Sequence, residues 1–303
     1  MNTSPLTDKA LLTQLGRMPL LSIPKRLVMS DWAGHIPFAF MLIEAMNPQN
    51  IVELGVYYGD SFCAFCQALK QNSFNAKVHG IDTWKGDIHI GEYGPEVLED
   101  LKKYLDSEYQ GMYELHQMRF DDALEKFPQK SIDLLHIDGE HTYKAVKNDF
   151  ESWFGKVADG GVILLHDTNV FDKSDYGVYK YWNEISLSYP SFRFNHSNGL
   201  GVVFKGEKAA IPPSLQWLFA LDPAEVDLVR SSFQVIGNGL VYKSKLDSLY
   251  REYKEIKKIN DNLVVKDKNK YEMIIKMRRT LDRYKKMETD FLNLEAQMRK
   301  TSE

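Results

Sequence analysis

Cysteine is scarce in this chain, and its scarcity excludes two classes of protein. Only Cys63 and Cys66 occur among 303 residues, too few for a disulfide framework or, by themselves, for a tetrahedral zinc site. Their C-x-x-C spacing also occurs in redox proteins, but here it lies in a helical pattern among apolar residues. We therefore expect both thiols to pack in the core.

A long hydrophobic run and a secretory leader are also missing. The longest apolar run near the N-terminus, residues 36–46, contains Glu44 and is too short to cross a bilayer. Residues 1–15 are polar and mixed in charge, without a basic segment that leads into an apolar one. We expect a soluble, cytoplasmic protein.

Charge is unevenly distributed along the chain. From Leu246 onward there are 15 Lys and Arg against 11 Asp and Glu, which leaves 23 against 31 in the part before it. The acidic front part argues against nucleic acid as a partner. The basic tail suits an anionic surface, so peripheral contact with the inner membrane is an option, although a solvated helix face explains the tail more simply.

Strand-like apolar segments alternate with helical patterns along residues 31–206, which is typical of an α/β fold with a mostly parallel sheet and helices on both faces. The last two segments are separated only by residues 197–199 and predict an antiparallel hairpin. The first strand begins at Ile51, and the others are predicted at Val78–Asp82, Tyr113–Met118, Ile132–Asp138, Gly161–Asp167, Phe192–His196 and Leu200–Lys205.

A glycine turn follows the first strand. Gly55 and Gly59 separate an apolar strand containing Glu53 from the start of a helix at Ser61. Glycine accepts positive φ and lets a ligand approach the backbone, and a helix start offers unpaired N–H groups. The spacing is not G-x-G-x-x-G, which disfavours a pyrophosphate site and a nicotinamide oxidoreductase. Alone, the turn is explained equally well by a nucleotide-like ligand and by an ordinary connection between a strand and a helix.

Four of the predicted strands end in an acid, and the carboxyl ends of parallel strands are where ligands bind in open α/β sheets. Asp82 follows Gly59 by 23 residues, a separation suited to an acid that binds ribose hydroxyls, although a helix N-cap is the alternative. Trp84 beside it either covers an adenine or packs in the core. The four acids are Glu53, Asp82, Asp138 and Asp167.

Asp138 and Asp167 end two strands that we expect to be neighbours, so their carboxylates should lie close together. Such a pair repels unless a cation or a proton lies between the two groups. Oxygen-rich ligation suits Mg²⁺, Ca²⁺ or Mn²⁺, with His166 or Glu140 as a further ligand. His141, three residues after Asp138, could instead serve as a general base near neutral pH.

Five motifs together resemble one known family. The sequence is similar to class I S-adenosylmethionine-dependent methyltransferases, in the branch of sugar O-methyltransferases of the macrocin and mycinamicin type and of cephalosporin-hydroxylase-like proteins. It most resembles methyltransferase domains found beside bacterial polysaccharide glycosyltransferases. The motifs lie between Asp31 and Lys205 and are Trp32-Ala33-Gly34-His35-Ile36-Pro37-Phe38-Ala39, Val52-Glu53-Leu54-Gly55 with Gly59, Asp82-Thr83-Trp84-Lys85-Gly86-Asp87, Ile137-Asp138-Gly139-Glu140-His141-Thr142-Tyr143 and His166-Asp167-Thr168.

The resemblance implies a Rossmann-like methyltransferase sheet that holds S-adenosylmethionine along its first two strands. In this family the acid and the glycines of the first strand hold the methionine part of the cofactor, and the acid of the second strand holds the ribose. These positions are Glu53, Gly55, Gly59 and Asp82 in this chain. We add Ser61, Trp84 and Asp122 to the predicted cofactor-binding set.

The resemblance also implies a catalytic set of Asp138, His141 and Asp167, and a divalent metal such as Mg²⁺ that binds the acceptor hydroxyl. The family commonly has an acid where this chain has His166. Two alternatives therefore stay open: a metal held by Asp138, Asp167 and His166, or a metal-free site in which His141 or His166 takes the proton. Acceptor contacts are expected from His35, from Gly86–Tyr93 with Asp87 and His89, and from Asn169–Tyr179.

The chain changes character at Leu246, beyond the resemblance. Apolar residues follow a 3-4 spacing from there, which predicts a coiled coil through which the chain associates with itself. A single long helix folded back on the front part is the alternative. We therefore divide the chain into an N-terminal helical segment (1–30), a methyltransferase domain (31–206), a helical connector (207–245) and a coiled coil (246–303).

The function expected from the resemblance is transfer of a methyl group from S-adenosylmethionine to a sugar hydroxyl in a cell-surface glycan, such as an O-antigen-like polysaccharide, or in its precursor. The partners would be the glycan acceptor and a glycosyltransferase complex at the membrane surface. The main alternative is a scaffold, in which the methyltransferase part is secondary and the coiled coil organises glycan synthesis.

Overall fold

The structure, a computed structural model, describes residues 23–28, 30–262 and 269–301. Most of the predicted N-terminal helical segment lies outside these ranges. Seven strands and nine α-helices are found in the described part. The strands are β1 (Asn50–Leu54), β2 (Lys77–Asp82), β3 (Tyr113–Gln117), β4 (Ile132–Ile137), β5 (Val157–His166), β6 (Ser191–Phe194) and β7 (Leu200–Phe204).

The strands form one sheet in the order β3-β2-β1-β4-β5-β7-β6. The pairs among β1 to β5 are parallel, whereas β7 runs antiparallel to both β5 and β6. The predicted Rossmann-like α/β sheet with a terminal antiparallel hairpin is thus confirmed. The chain turns from one half of the sheet to the other between β1 and β4, and in α/β sheets ligands bind beyond the strand ends at such a point.

Helices cover both faces of the sheet. They are α1 (Ile36–Met46), α2 (Asp60–Gln71), α3 (Glu96–Glu108), α4 (Phe120–Ala123), α5 (Tyr143–Phe154), α6 (Val178–Ile185), α7 (Gln216–Phe219), α8 (Pro223–Asn262) and α9 (Asn269–Thr301). A 3₁₀ turn, Asp31–His35, leads into α1.

Alternate residues of the strands enter two separate apolar clusters, because successive side chains of a strand point to opposite faces. Leu134 belongs to the cluster under α1, α2 and α3, and Leu135 to the cluster under α5 and α6. Cys63 and Cys66 are free and buried in the first cluster, as expected. Burial also raises the pKa of both thiols, so they stay protonated and inert.

Helix α8 is fixed to the front part of the chain by a close approach of two backbones. Val229 and Phe233 of α8 are fully buried in the first cluster. One turn later, a Cβ added at Gly237 would lie 2.1 Å from the carbonyl oxygen of Gly34, so only glycine allows this contact. The helix therefore passes directly over the 3₁₀ turn and continues without a break through the predicted boundary at residues 245 and 246.

Helices α8 and α9 pack antiparallel within the chain. Gly239 faces Leu294, and the rings of Tyr250 and Tyr284 lie 6.1 Å apart. Part of the apolar 3-4 pattern behind the coiled-coil prediction is thus satisfied inside one chain, although Ile274 and Leu281 stay exposed, and a single unbroken helix is excluded. Self-association through these helices stays a prediction. None of the described helices has the length and apolarity needed to cross a membrane.

Candidate active site at the strand ends

The glycine turn after β1 has the backbone shape expected of it. Gly55 and Gly59 have φ values of 88° and 82°, which favour glycine strongly. A Cβ at Gly55 would also lie 2.0 Å from the carbonyl oxygen of Asp138. The turn therefore brings the ends of β1 and β4 close enough to form one surface.

Asp82 at the end of β2 holds this turn in place. Its Oδ2 accepts hydrogen bonds from the backbone N–H groups of Val56 and Tyr57, at 2.9 Å each, and its Oδ1 accepts one from Trp84 at 2.7 Å. Asp82 also lines a cavity described below. The carboxylate thus serves the structure of the turn, and it remains the predicted ribose-binding group.

Trp84 lies beneath the turn. It is 2% exposed, and its indole N–H donates a hydrogen bond to the carbonyl oxygen of Tyr57 at 3.2 Å. It does not belong to the lining of either cavity described below. This position favours the core tryptophan of the two alternatives and gives no support to a ring that covers an adenine.

Glu53 is part of a buried hydrogen-bonded chain. The indole of Trp32 donates to His136 Nε2 at 3.0 Å, and because that nitrogen accepts, Nδ1 carries the proton and donates to Glu53 Oε1 at 2.7 Å. Ser61 also donates to Glu53 Oε1. Glu53 is fully buried, and burial raises the pKa of its carboxyl group. Glu53 therefore positions Ser61, which lines a cavity while Glu53 itself does not.

Four side chains from the ends of β4 and β5 and the loop after β4 form one cluster, as predicted. His141 Nε2 lies 2.7 Å from Asp167 Oδ2 and 3.8 Å from Asp138 Oδ1. His166 Nδ1 lies 3.2 Å from Asp138 Oδ1 and 3.6 Å from Asp167 Oδ2. Asp167 has a φ of 59°, an uncommon conformation for a residue other than glycine. We call these four residues the strand-end cluster.

His166 is an imidazolium in this arrangement. Its Nε2 lies 3.1 Å from the carbonyl oxygen of Ser197, which can only accept, so Nε2 donates. Its Nδ1 faces the two carboxylates and also donates. Burial lowers the pKa of His166, but Asp138 and Asp167 raise it more, and the net pKa lies well above the ordinary value. A proton thus supplies part of the charge that the two acids need between them.

His141 is held by several groups. Burial lowers its pKa, yet hydrogen bonds to Asp138 and Asp167 outweigh this and raise the pKa to about 9. Its ring stacks on Tyr176 with centroids 4.7 Å apart, and its Nδ1 lies 3.4 Å from Nδ1 of His89. In turn, burial raises the pKa of Asp167, but His166 and His141 reverse this and leave it below the ordinary value.

The cluster also fits a divalent cation. One ligand atom each from Asp138, His141 and Asp167 lie within 4.8 Å of one another. Asp167 Oδ1 is buried and has no hydrogen-bond partner among the described residues, which leaves an oxygen free for a ligand. The donor set of two carboxylates and one imidazole suits Mg²⁺ or Mn²⁺. The geometry thus places His141 in the metal-binding group where the sequence predicted His166.

Two cavities meet at the cluster. The larger, about 460 Å³, contains the two histidines and Ser61; the smaller, about 330 Å³, contains Asp82. We call them the His141 cavity and the Asp82 cavity. The residues that line both are Gly55, Tyr57, Asp87, Ile90 and Asp138.

Some of the other predicted residues line a cavity and others do not. Asp87 and His89 line the His141 cavity as expected, whereas His35 is fully buried and donates to the carbonyl oxygen of Ser197. Asp122 is exposed in α4 and lies outside both linings, and its neighbour Asp121 lines the Asp82 cavity.

Helix α8 contributes residues that the sequence reasoning missed. Val241, Ser244 and Lys245 line the His141 cavity. They follow Gly237 by four, seven and eight residues, so they share the helix face that docks on the 3₁₀ turn. This spacing was readable in the sequence, but the contact of α8 with the front part was not.

The segment that contains the site is similar to segments of known proteins. Residues 52–168 match the model of a family described as a methyltransferase domain. The uncharacterized protein y4gI of Sinorhizobium fredii is 39% identical over 181 residues, which are 60% of this chain and 20% of that protein. The chain thus spans only a fifth of the length of this relative.

Two solved structures are similar at lower identity. The O-methyltransferase TomG of Streptomyces achromogenes, solved with S-adenosylmethionine, is 15% identical, with 66% of this chain and 90% of TomG covered and a TM-score of 0.44. An O-methyltransferase of Bacillus cereus, solved with S-adenosylhomocysteine, is 16% identical, with 65% and 91% covered and a TM-score of 0.43. TM-scores below 0.5 give no information about a reaction of this chain. The segment that matches the methyltransferase-domain model, residues 52–168, contains the glycine turn and all four strand-end acids.

Proposed function

We propose that this chain is an S-adenosylmethionine-dependent O-methyltransferase whose acceptor is a sugar hydroxyl in a glycan or glycan precursor. The observation that carries the proposal is the junction of the two cavities at Asp138. The Asp82 cavity has the size of a small-ligand site and would take the adenosyl group. The His141 cavity, beside the strand-end cluster, would take the acceptor.

The reaction is an in-line displacement at the methyl carbon. The acceptor oxygen forms a bond to the methyl group, the bond from carbon to sulfur breaks, and S-adenosylhomocysteine and a proton are released. The enzyme contributes mainly by holding the two reactants in line. The rigid turn at Gly55, fixed by Asp82, would set the position of the donor relative to Asp138.

The proton requires a base, because a neutral sugar hydroxyl is a poor nucleophile. His141 is the best placed candidate, since it lines the acceptor cavity and Asp167 orients it at 2.7 Å. Only its neutral form can accept a proton. While His141 is neutral, His166 compensates one of the two carboxylates, and the proton taken from the acceptor restores the positive charge of His141 beside the other.

A divalent cation would be held by Asp138, Asp167 and His141. Its chemistry would be that of a Lewis acid which lowers the pKa of the acceptor hydroxyl. His166 would keep its hydrogen bond to the carbonyl oxygen of Ser197 in either case. The protein residues therefore support both a metal-assisted and a histidine-assisted reaction.

The lining of the His141 cavity supports a polar, hydroxyl-rich acceptor. Several of its side chains offer hydrogen-bonding groups, and aromatic rings accompany them. The polar members include Asp31, Asp87, His89, Lys173, Asn198, Ser244 and Lys245, and the aromatic ones Tyr57, Tyr58 and Tyr176. A mixture of this kind suits a sugar, which presents hydroxyl groups at its edges and C–H groups on its faces.

Methyl transfer tests the proposal directly. Labelled S-adenosylmethionine is incubated with the protein and bacterial polysaccharide precursors, with and without Mg²⁺, and label in the sugar fraction is counted. We expect incorporation by the wild type and by Asp227→Ala, an exposed control on α8, and a loss of at least about a hundredfold in Asp138→Ala. Equal incorporation by Asp138→Ala would remove the strand-end cluster from the mechanism.

A scaffold role is the second candidate, and one observation favours it. After α8 and α9 pack together, several large apolar side chains stay exposed on them, and such residues can mark an association surface. They include Ile259, Ile274, Ile275, Leu281 and Leu292. This role predicts self-association without methyl transfer, whereas the enzyme role requires transfer with or without association.

A further inference from the structure

A second group of potential metal ligands lies on β2 and β3, away from the strand-end cluster. His79 of β2 is the register partner of Glu114 of β3. His116 lies two residues after Glu114, so its side chain is on the same face of the sheet. Three ligand atoms, one from each residue, lie within 4.8 Å of one another. No residue is shared with the strand-end cluster.

The spacing of the donor atoms is close to that of a tetrahedral metal site. His79 Nδ1 and His116 Nε2 are 3.3 Å apart. Glu114 Oε1 lies 3.7 Å from His116 Nε2, and its Oε2 lies 3.9 Å from His79 Nδ1. A zinc ion with bonds of about 2.0–2.1 Å separates two tetrahedral ligands by about 3.3–3.4 Å. Only a small rotation of the Glu114 side chain would complete the third position.

The two imidazoles are held in place before any ion binds. Both pack edge to face against Phe127, with centroid distances of 5.2 Å for His79 and 5.9 Å for His116. Their side chains are 17% and 9% exposed, whereas Glu114 is 53% exposed. The site is thus fixed at its base and open on one side, where an ion could enter and a water molecule could complete the coordination.

We propose that His79, Glu114 and His116 bind a divalent transition metal, zinc in the first instance. Two imidazoles and one carboxylate are donors that zinc commonly takes in proteins, and a site with more imidazole than carboxylate ligands disfavours Mg²⁺ and Ca²⁺. A hydrogen bond between the two rings accounts for their contact with each other. It does not account for a carboxylate that approaches both of the same two nitrogens.

A bound ion would join the edge strand of the sheet to its neighbour. β3 pairs with β2 alone, and His79 lies three residues before Asp82 on β2. Binding of an ion only to the folded protein stabilises it. The ion would therefore stabilise the strand that carries Asp82. Its binding can be measured without methyl transfer and does not depend on the proposed function.

The test uses full-length protein treated with a chelator and then dialysed. Zinc is titrated by calorimetry into His141→Gln protein, because His141 belongs to both of the other groups of potential metal ligands among the described residues, and Co²⁺ is added separately to record its visible spectrum. The further substitutions are His79→Gln, Glu114→Gln and, as a control, Glu99→Gln, an exposed carboxylate on α3. Glu114 is exposed enough that its substitution leaves the fold intact, as circular dichroism would verify.

We expect one equivalent of zinc with micromolar or tighter affinity, an intense cobalt spectrum of tetrahedral type, and a rise in melting temperature on zinc addition. His79→Gln and Glu114→Gln should each weaken zinc binding by at least about tenfold, because loss of groups that only support a ligand already costs that much. Glu99→Gln should bind as before. Absence of zinc binding, or equal affinity in Glu114→Gln and Glu99→Gln, would overturn the proposal.

Discussion

His166 and His141 show how the same residue type takes two roles at neighbouring positions. His166 donates from both ring nitrogens, to a backbone carbonyl and to the carboxylates, and is fixed as a cation. His141 contacts the acids through Nε2 alone, and its other nitrogen faces a second histidine. His141 is therefore the residue that can exchange a proton during a reaction.

The rate of methyl transfer should depend on the protonation state of His141. The pKa of His141 is raised to about 9, so the neutral form that accepts a proton becomes populated as pH rises toward that value. Without divalent metal, we expect the rate to increase from pH 7 to about pH 9 and then level off. The measurement is initial rate against pH with saturating donor.

His141→Gln is the variant that checks this assignment. Loss of a general base costs about 10²–10⁴-fold in rate, and the remaining activity should lose its rise with pH. A rise of unchanged size in His141→Gln would assign the proton to another group.

Asp149 should make the stability of the folded protein depend on pH. Burial raises the pKa of Asp149 from 3.8 to about 7, so between these values the folded state binds a proton that the unfolded state lacks. The free energy of unfolding should then fall as pH rises from 4 through 7. Asp149→Asn is neutral throughout and should melt higher than the wild type at pH 8, with a smaller difference at pH 4.

Asp227→Asn, with its exposed carboxylate, serves as the control for this measurement and should follow the wild type. Thermal unfolding monitored by circular dichroism at both pH values decides the matter. A melting temperature of Asp149→Asn that is lower than wild type at pH 8 would contradict the expected ionisation.

The sequence predicted the positions of the strand-end acids but not the burial of Glu53. Asp82, Asp138 and Asp167 come at or after a strand end, where topology alone brings them together. Glu53 lies one residue earlier, and its surroundings depend on the register with β4, in which it pairs with His136. A register of this kind is not encoded in an apolar pattern, so its burial could not be anticipated.

At the scale of elements, α8 acts as a wall of the proposed acceptor site. Its buried residues and Gly237 attach it to the front part, and about two turns later Ser244 and Lys245 reach the His141 cavity. Ser244 is only 3% exposed. Within the described residues neither side chain has a hydrogen-bond or ion-pair partner. A polar acceptor would supply those partners.

We predict that Lys245→Gln raises the KM for the acceptor several-fold and leaves the Kd for S-adenosylhomocysteine unchanged. The reason is that the lysine lines only the acceptor side of the junction. Lys257→Gln, an exposed lysine three turns further along α8, is the matched control and should behave as wild type. The same change in KM in both variants would mean that general charge, not position, matters.

Strands were easier to predict than the long helices. Each apolar segment between helical patterns became a strand. Three strands begin one residue earlier than predicted, whereas β5 begins well before Gly161, at Val157, where its register with β4 shifts. The helices α8 and α9 share one apolar spacing, and that spacing cannot distinguish a partner in the same chain from one in another chain. The position of Gly237 against Gly34 depends on the folded front part, which a pattern in α8 does not report.

At the scale of the whole molecule, the uneven charge and the exposed apolar residues of α9 bear on association. Ile274 and Ile275 are 46% and 47% exposed, close to the basic groups of the tail. Such side chains are costly to leave in water when several lie together. We predict that the chain associates with itself through this part of α9.

Light scattering after size-exclusion chromatography measures this association. The double variant Ile274→Lys, Ile275→Lys should shift the protein to monomer, whereas Ile88→Lys, at an exposed position in the loop after β2, should not. A wild type that is monomeric at all concentrations would exclude the scaffold role and leave the proposed enzyme unaffected.

The proposed function requires that the glycine turn and the strand-end acids form a site for a methyl donor. Calorimetric titration of S-adenosylmethionine into the full chain measures this binding, with a nicotinamide dinucleotide titrated in parallel. We expect one molecule of S-adenosylmethionine bound per chain and no heat from the dinucleotide. No binding of S-adenosylmethionine by folded protein would contradict it.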